Sequence, residues 1–519
     1  LIAQGNARII HTISIPSYRG IIFDRREEPL AVSTPTESAW IDPRHFNPTK
    51  EEFQKITQLF GLNKRELKEK IAQNKQRAFL YLKRDVPDDI VATVRAMRMH
   101  GLYFRREYRR FYPSGPDAAQ LIGFTNIDDQ GQAGLELYFD DILKPISGKK
   151  RVLEDRSGKW IQDLENIQAP HSGQDIILSI DTRIQSHILR VLSELLTRTQ
   201  AKSATCVMID ITTGEILAML TAPSFNANNR QERQGPAIRL RAITDPVEPG
   251  STVKAFTIAA GLEEKIIKEN SLIDTSPGTI RLGPYVIHDD RNWGVLRVYE
   301  ILSRSSNVGI CKIALELPPN YMAQFFDRFG FGRETGLKLP GESKGSLPEG
   351  PQSLNIQASL GFGYGLSVTP LQLAHAYATL GAKGIYRPLS ITRLDTAPAG
   401  TRILSEEVST TILSMLAEVT RKDGTGRRAN ISGYPTAGKT GTVRVIGEQG
   451  YDVNRHFSLF AGVTPLHNPR LATLVLIEEP QKAYMGGAVA APTYAKIVQY
   501  ALYMLNIPPE SDYASKPLQ

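Results

Sequence analysis

Hydrophobic spacing divides the chain into stretches of different texture. From Ile184 the apolar residues Ile184, Ile188, Val191, Leu192 and Leu195 recur at intervals of three and four, the stripe of an amphipathic helix. Two apolar runs follow, residues 204 to 210 and 215 to 220, and the connector Ile211-Thr212-Thr213-Gly214 between them predicts a strand pair. Residues 457 to 463 and 471 to 478 are further strand candidates, and a helix is expected from about Tyr494 to Leu505. Val253, Phe256 and Ala260 share a helical face just after Pro249-Gly250, which predicts an amphipathic helix with Ser251 in its first turn. Before residue 170 short extended runs alternate with polar connectors. The switch from His171-Ser172-Gly173-Gln174-Asp175 to Ile176-Ile177-Leu178 sets the expected boundary, with residues 1 to 170 as one domain and 171 to 519 as another. The elements alone give an α+β class.

Three short segments of the second region carry groups suited to acyl transfer. In Ser251-Thr252-Val253-Lys254 the hydroxyl sits at the positive end of the expected helix, and Lys254 shares its face. A partly desolvated amine there can shed its charge and take the serine proton. Any surface helix can carry Ser and Lys at that spacing, so the pair alone is a weak signal. Ser305-Ser306-Asn307 precedes the apolar run Val308 to Leu315 and reads as a helix N-cap, a role compatible with catalysis. Lys439-Thr440-Gly441-Thr442 leads into Val443-Arg444-Val445 and reads either as a plain turn or as the start of a strand whose glycine admits a ligand backbone.

In this order, the three segments resemble the motifs of the penicillin-recognising serine transferases and hydrolases. Arg241-Ala242-Ile243-Thr244-Asp245, Gly363-Tyr364-Gly365-Leu366-Ser367-Val368-Thr369-Pro370 and Gly424-Thr425-Gly426 extend the likeness. In the first region Arg19-Gly20-Ile21-Ile22-Phe23-Asp24-Arg25, Arg110-Phe111-Tyr112-Pro113-Ser114-Gly115 and Gly134-Leu135-Glu136 resemble pedestal motifs. The chain is identified as a member of the class B penicillin-binding proteins, most similar to the division-specific, penicillin-binding protein 3 type. That resemblance implies an antiparallel sheet flanked by helices, a helical subdomain, and an extended, mostly β N-terminal pedestal. It implies a peptidoglycan D,D-transpeptidase in which Ser251 attacks a stem peptide between its terminal D-alanines and Lys254 acts as base. Ser305 and Lys439 would pass a proton to the leaving nitrogen, and Asn307 would hold the peptide amide. The Ser251 and Thr442 N–H groups match the family's oxyanion hole, Thr440 and Thr442 suit a substrate carboxylate, and Ser306, Gly441 and Tyr364 fall in the substrate cleft. β-Lactams are the expected covalent inhibitors. A serine β-lactamase or D,D-carboxypeptidase, and a non-catalytic β-lactam sensor, share the motifs and stay open as alternatives.

The family usually has glycine where Glu27 stands, which predicts a differently built turn before Pro29. Charged pedestal residues read as buried ion pairs that stitch this region together. No stretch reaches the roughly 18 apolar residues that cross a bilayer, and the chain opens at Leu1. It therefore reads as an ectodomain, and the resemblance implies a single anchor helix upstream, an inner-membrane location with the catalytic part in the periplasm, and cell-division partners including a membrane glycan polymerase.

Composition adds little. The chain's 519 residues are 41% hydrophobic and 22% charged, ordinary for a globular protein, and its net charge of +8 is spread along the sequence. The densest basic run, Phe104-Arg105-Arg106-Glu107-Tyr108-Arg109-Arg110-Phe111-Tyr112, reads as a solvated strand rather than a nucleic-acid face, and no nucleic-acid partner is expected. Cys206 and Cys311 read as buried apolar fillers, and His288-Asp289-Asp290-Arg291-Asn292-Trp293 as a ligand-free loop near the cleft. His456 reads as structural or as a cleft-rim residue. No phosphate loop or metal spacing is found, so neither cofactor nor metal is expected.

Overall fold

Pro29–Ile41 pairs antiparallel with Leu80–Val86 on one side and Leu102–Phe111 on the other. The helices Lys50–Leu59, Lys64–Gln73 and Asp88–Ala96 cover this sheet, so that Ile41, Ile56, Phe60, Leu82 and Val91 are buried together. The computed structural model describes residues 9–154, 160–447 and 450–510. It contains two compact units, one of Leu1–Ile22, Pro29–Pro113 and Phe124–Ile176, the other of Phe23–Glu28, Ser114–Gly123 and Ile177–Gln519.

In the first unit the basic-aromatic run is the strand Leu102–Phe111, with Arg105, Arg106 and Arg109 exposed and Arg110 buried. Arg110 Nε lies 2.6 Å and Arg19 Nε 2.7 Å from the carboxylate of Glu136, whose side chain is fully buried. Arg19 also reaches Asp140 at 2.6 Å. One carboxylate between two guanidinium groups satisfies charges that would be very costly to bury singly. These are the expected pedestal ion pairs.

The second unit is built on a five-stranded antiparallel sheet in the order Ile216–Ala222, Ser203–Asp210, Leu471–Glu478, Gly450–Thr464, Ala437–Gly447. The expected strand pair and both later strand candidates are present. Every residue of Ser203–Asp210 and Leu471–Glu478 is buried, so helices must cover both faces. Thr182–Thr199 begins at Asp181, whose carboxylate accepts from Arg183 N, and buries the predicted stripe of Ile184, Ile188, Val191, Leu192 and Leu195. Gly486–Met504 packs into the same core, while Pro370–Gly381, buried along its length, packs against the central strands.

One local expectation is corrected. The last helix begins at Gly486, eight residues before Tyr494, despite Pro492 within it. Proline leaves the carbonyl four residues back without its helical donor, and Arg428 Nη1 donates to that carbonyl, Ala488 O, at 3.4 Å. Glu27 stands in the turn before Pro29. Glu27 itself takes φ +64°, the left-handed region that glycine enters most cheaply. Asp24 holds the turn, accepting from the N–H groups of Arg26 at 2.8 Å and Glu28 at 3.0 Å.

Candidate active site

Ser251 lies in a single 3-10 turn, Gly250–Val253, which runs into the helix Lys254–Glu263. That helix is buried on every face from Lys254 to Gly261, not amphipathic as expected, because other helices, among them Asn307–Glu316 and Glu406–Val419, surround it. The turn is pinned by its neighbours. Gly250 N donates to Gly363 O at 3.1 Å, Tyr377 Oη to Thr252 O at 2.6 Å, and Thr252 Oγ1 to Pro249 O at 2.7 Å. Gly363 has φ +92°, and a Cβ there would stand 2.0 Å from Gly250 O. Only glycine permits this approach.

Ser305-Ser306-Asn307 forms the bend that opens the helix Asn307–Glu316, with Ser306 as its N-cap accepting from Gly309 N at 3.0 Å. Ser305 has φ +59°, a left-handed conformation rare and costly for a side chain with a Cβ. It points its hydroxyl into the centre of the site. Ser305 Oγ is 3.2 Å from Ser251 Oγ, 3.1 Å from Lys254 Nζ and 3.1 Å from Lys439 Nζ. Lys254 Nζ also donates to Ser305 O and to Asn307 Oδ1, each at 2.7 Å. Among the described residues, the Ser251 hydroxyl bonds to Ser305 and not to Lys254.

Both amines are fully buried. Burial pulls Lys254 down from the ordinary lysine value to about 8, against the opposing pull of Asp289 and weaker contributions from Cys311 and Asp290. Lys439 is lowered well below its ordinary value by burial and then by the charge of Lys254. Two buried amines bridged by one hydroxyl cannot both stay charged cheaply, so the site favours a shared proton.

Lys439, Thr440, Gly441 and Thr442 lie within the strand Ala437–Gly447, at the edge of the sheet. Thr440 Oγ1 donates to Thr425 Oγ1 at 3.2 Å, which ties in the Gly424-Thr425-Gly426 segment. Thr442 Oγ1 accepts from Gly486 N at 2.9 Å and so satisfies the start of the last helix. Gly441 is needed for the protein's own packing: a Cβ there would lie 3.0 Å from Thr252 Cγ2, and one on Gly486 would lie 2.4 Å from Gly441 O.

Tyr364 sits in the loop that touches Gly250. Its ring meets Tyr451 edge-on at 5.8 Å and Phe362 at 5.4 Å. Glu248 supports this loop, accepting from Gly365 N and Tyr451 Oη at 3.0 Å each. His456 stacks on Tyr484 at 4.2 Å. Cys206 and Cys311 are free and buried, as expected.

Asp289 is the residue whose spacing gives no warning. It follows the hairpin strand Tyr285–His288, 18 residues before Asn307, yet Oδ1 accepts from Asn307 N at 2.5 Å and Val308 N at 3.1 Å. Its Oδ2 accepts from Ser306 Oγ at 2.6 Å. Next to it, His288 O accepts from Asn307 Nδ2 at 3.0 Å. Among the described residues no group of three or more His, Cys, Asp or Glu is gathered as a metal site.

The Ser251 hydroxyl, two buried amines and a bridging hydroxyl make a set of groups able to carry out serine acyl transfer, and the comparisons with known proteins agree with that chemistry. Residues 204–499 match the penicillin binding protein transpeptidase domain and residues 14–178 the penicillin-binding protein dimerisation domain. The chain is 38% identical over 518 residues to the peptidoglycan D,D-transpeptidase FtsI of Escherichia coli K12, covering 98% of this chain and 88% of that one. The chain is a class B penicillin-binding protein. This penicillin-binding protein is also 36% identical over 521 residues to the probable peptidoglycan D,D-transpeptidase PenA of Neisseria gonorrhoeae, covering 99% and 88% of the two chains. The transpeptidase domain of Burkholderia pseudomallei penicillin-binding protein 3 matches it at 33% identity and TM-score 0.59, covering 64% of this chain and 97% of that one. Penicillin-binding protein 3 of Mycobacterium tuberculosis, solved with aztreonam, shares the fold, with TM-score 0.74 over 98% of this chain and all of that one (100%) at 24% identity. The expected α+β penicillin-binding fold is present.

Proposed function

We propose that this penicillin-binding protein is a septal peptidoglycan D,D-transpeptidase that cross-links stem peptides through an acyl-enzyme on Ser251. The observation that carries this reading is the Ser305 hydroxyl, within 3.2 Å of Ser251 Oγ and 3.1 Å of both lysine amines. In a neutral Lys254 amine the two N–H bonds serve Ser305 O and Asn307 Oδ1, and the lone pair faces the Ser305 hydroxyl. As Ser251 attacks the carbonyl between the terminal D-alanines, its proton passes by way of Ser305 to Lys254. Collapse of the tetrahedral intermediate breaks the C–N bond, and a proton returned through Ser305 from the lysine pair leaves with D-alanine. An amine of a neighbouring stem then attacks the ester, losing its proton as Ser251 regains one. The N–H groups of Ser251 and Thr442 form the oxyanion hole, worth roughly 3 to 4 kcal/mol per donor. The Thr440 and Thr442 hydroxyls, beside the Lys439 amine, receive the terminal carboxylate. Tyr364 lines the cleft.

Residues 1–170 serve as a pedestal and 171–519 as the transpeptidase domain. Among the described residues no helix is long and apolar enough to cross a membrane. In this reading an upstream helix anchors the protein in the inner membrane with the catalytic domain in the periplasm, alongside division proteins that include a membrane glycan polymerase. β-Lactams enter as mimics of the donor peptide.

Incubation with a D-Ala-D-Ala-terminated donor and an amine acceptor tests the reading. Amide product, with benzylpenicillin consumed in near-stoichiometric amount, is the expected result. Sustained penicillin hydrolysis would favour a β-lactamase, and acylation with neither amide nor acid product would favour a sensor.

A further inference from the structure

We propose that Asp289 is a positioning residue for the serine chemistry: its carboxylate clamps the turn presenting Ser305 and Asn307, and it sets a negative charge beside the buried Lys254 amine. The inference rests on the reading of Ser251 and Lys254 as nucleophile and base.

The clamp is complete at both oxygens. One takes the N–H groups of Asn307 and Val308, which at the start of a helix have no intrahelical acceptor, and the other takes the Ser306 hydroxyl. Ser306 is bonded in turn to Gly309 N, so Asp289 and the N-cap form one network across the first helical turn. The clamp is itself fixed, because Asp289 N donates to Gly278 O at 2.9 Å. The turn it holds includes Ser305 at φ +59°, a conformation that surrounding bonds must maintain. Asn307, whose backbone Asp289 holds and whose side-chain amide donates to His288 O, presents Oδ1 to Lys254.

The charge acts on the same amine. Lys254 faces Asp289 and Asp290 from the end of the hairpin, Cys311 from the helix that Ser306 caps, and Lys439 from the edge strand. Burial pushes the Cys311 thiol up to about 12, so it stays neutral, and Asp290 is exposed and screened by water. Asp289 is the partly buried carboxylate that offsets the burial of Lys254 most strongly. Removing its charge lowers the Lys254 value further, which moves the pH at which the amine becomes neutral downward.

The test is the rate of penicillin acylation against pH for the full chain, with Asp289→Asn, Asp289→Glu and Ser306→Ala beside the wild type. Asp289→Asn should slow the plateau at least tenfold and shift the acid limb at least half a pH unit lower. Ser306→Ala, which loses one clamp bond but keeps the charge, should be slower with its limb where the wild type has it. Asp289→Glu, with the charge kept and the oxygens displaced, should behave like Ser306→Ala and provides the test if Asp289→Asn does not fold. An Asp289→Asn limb at the wild-type pH, or a plateau within twofold of wild type, overturns the proposal, as does a displaced limb or unchanged rate in Asp289→Glu. Mapping the wild-type adduct keeps the two readings apart: an adduct away from Ser251 sinks the site assignment itself, whereas an adduct on Ser251 with an unmoved Asp289→Asn limb sinks only the role of Asp289.

Discussion

Acylation should rise with pH up to the value of Lys254 and then level off. With that amine held near 8, about one in ten copies is neutral at pH 7, whereas at the ordinary lysine value about three in ten thousand would be. Burial therefore supplies a several-hundredfold larger population of competent base. Second-order acylation by a fluorescent penicillin, measured from pH 5.5 to 9.5, should climb nearly tenfold per pH unit at low pH and flatten above about 8. Lys254→Ala should cut the plateau by about a hundredfold or more. Stability carries the opposite face of the same shift. The folded-state value lies below the unfolded one, so the unfolded chain binds more protons between about 8 and 10.5 and stability rises with pH across that window. Below about 8 the full cost, of order 3 kcal/mol, is borne. A flat acylation profile from pH 6 to 9, or near-normal acylation by Lys254→Ala, would refute the assignment of Lys254 as base.

Three further outcomes follow from particular contacts. Ser305→Gly and Ser305→Ala should both lose at least a hundredfold in acylation, but only glycine relieves the left-handed backbone, so it should be the more stable of the two by about 1 kcal/mol in thermal or urea unfolding. Gly363→Ala forces a methyl group to 2.0 Å from Gly250 O and should abolish acylation while residues 29 to 113 keep their fold, read by penicillin labelling and hydrogen exchange. Glu136→Gln leaves Arg19 and Arg110 buried against a neutral partner and should destabilise the first unit by about 3 to 5 kcal/mol, read as earlier urea unfolding of that unit.

The candidate site residues are legible in the sequence because each lies in a short segment whose local role is visible. Ser251 follows a Pro-Gly turn, Ser306 caps an apolar helix, and Lys439 opens an alternating strand. Their convergence on one hydroxyl is not legible, since it depends on the edge strand and two helices meeting in space. The role of Asp289 is not legible for the same reason: a carboxylate in the polar segment His288-Asp289-Asp290 looks like any solvated residue until the helix N-terminus it serves is placed against it. The helix that follows Ser251 is apolar nearly throughout, and a few spaced apolar positions cannot separate an amphipathic helix from one buried all round. Gly486, Gly487 and Pro492 look like loop punctuation, yet Gly486 admits the helix start against the edge strand, Gly487 admits it against Thr425 O, and Arg428 takes the carbonyl that proline frees. Glu27 shows the converse, a side chain accepted in a glycine conformation because Asp24 fixes the turn.

The central claim, that Ser251 is the acylated nucleophile, is tested most directly by intact-mass spectrometry and peptide mapping of the benzylpenicillin adduct. One penicilloyl group per chain on the peptide containing Ser251, persisting for minutes to hours and absent in Ser251→Ala, is the predicted result; an adduct on any other residue, or one that survives in Ser251→Ala, would contradict it.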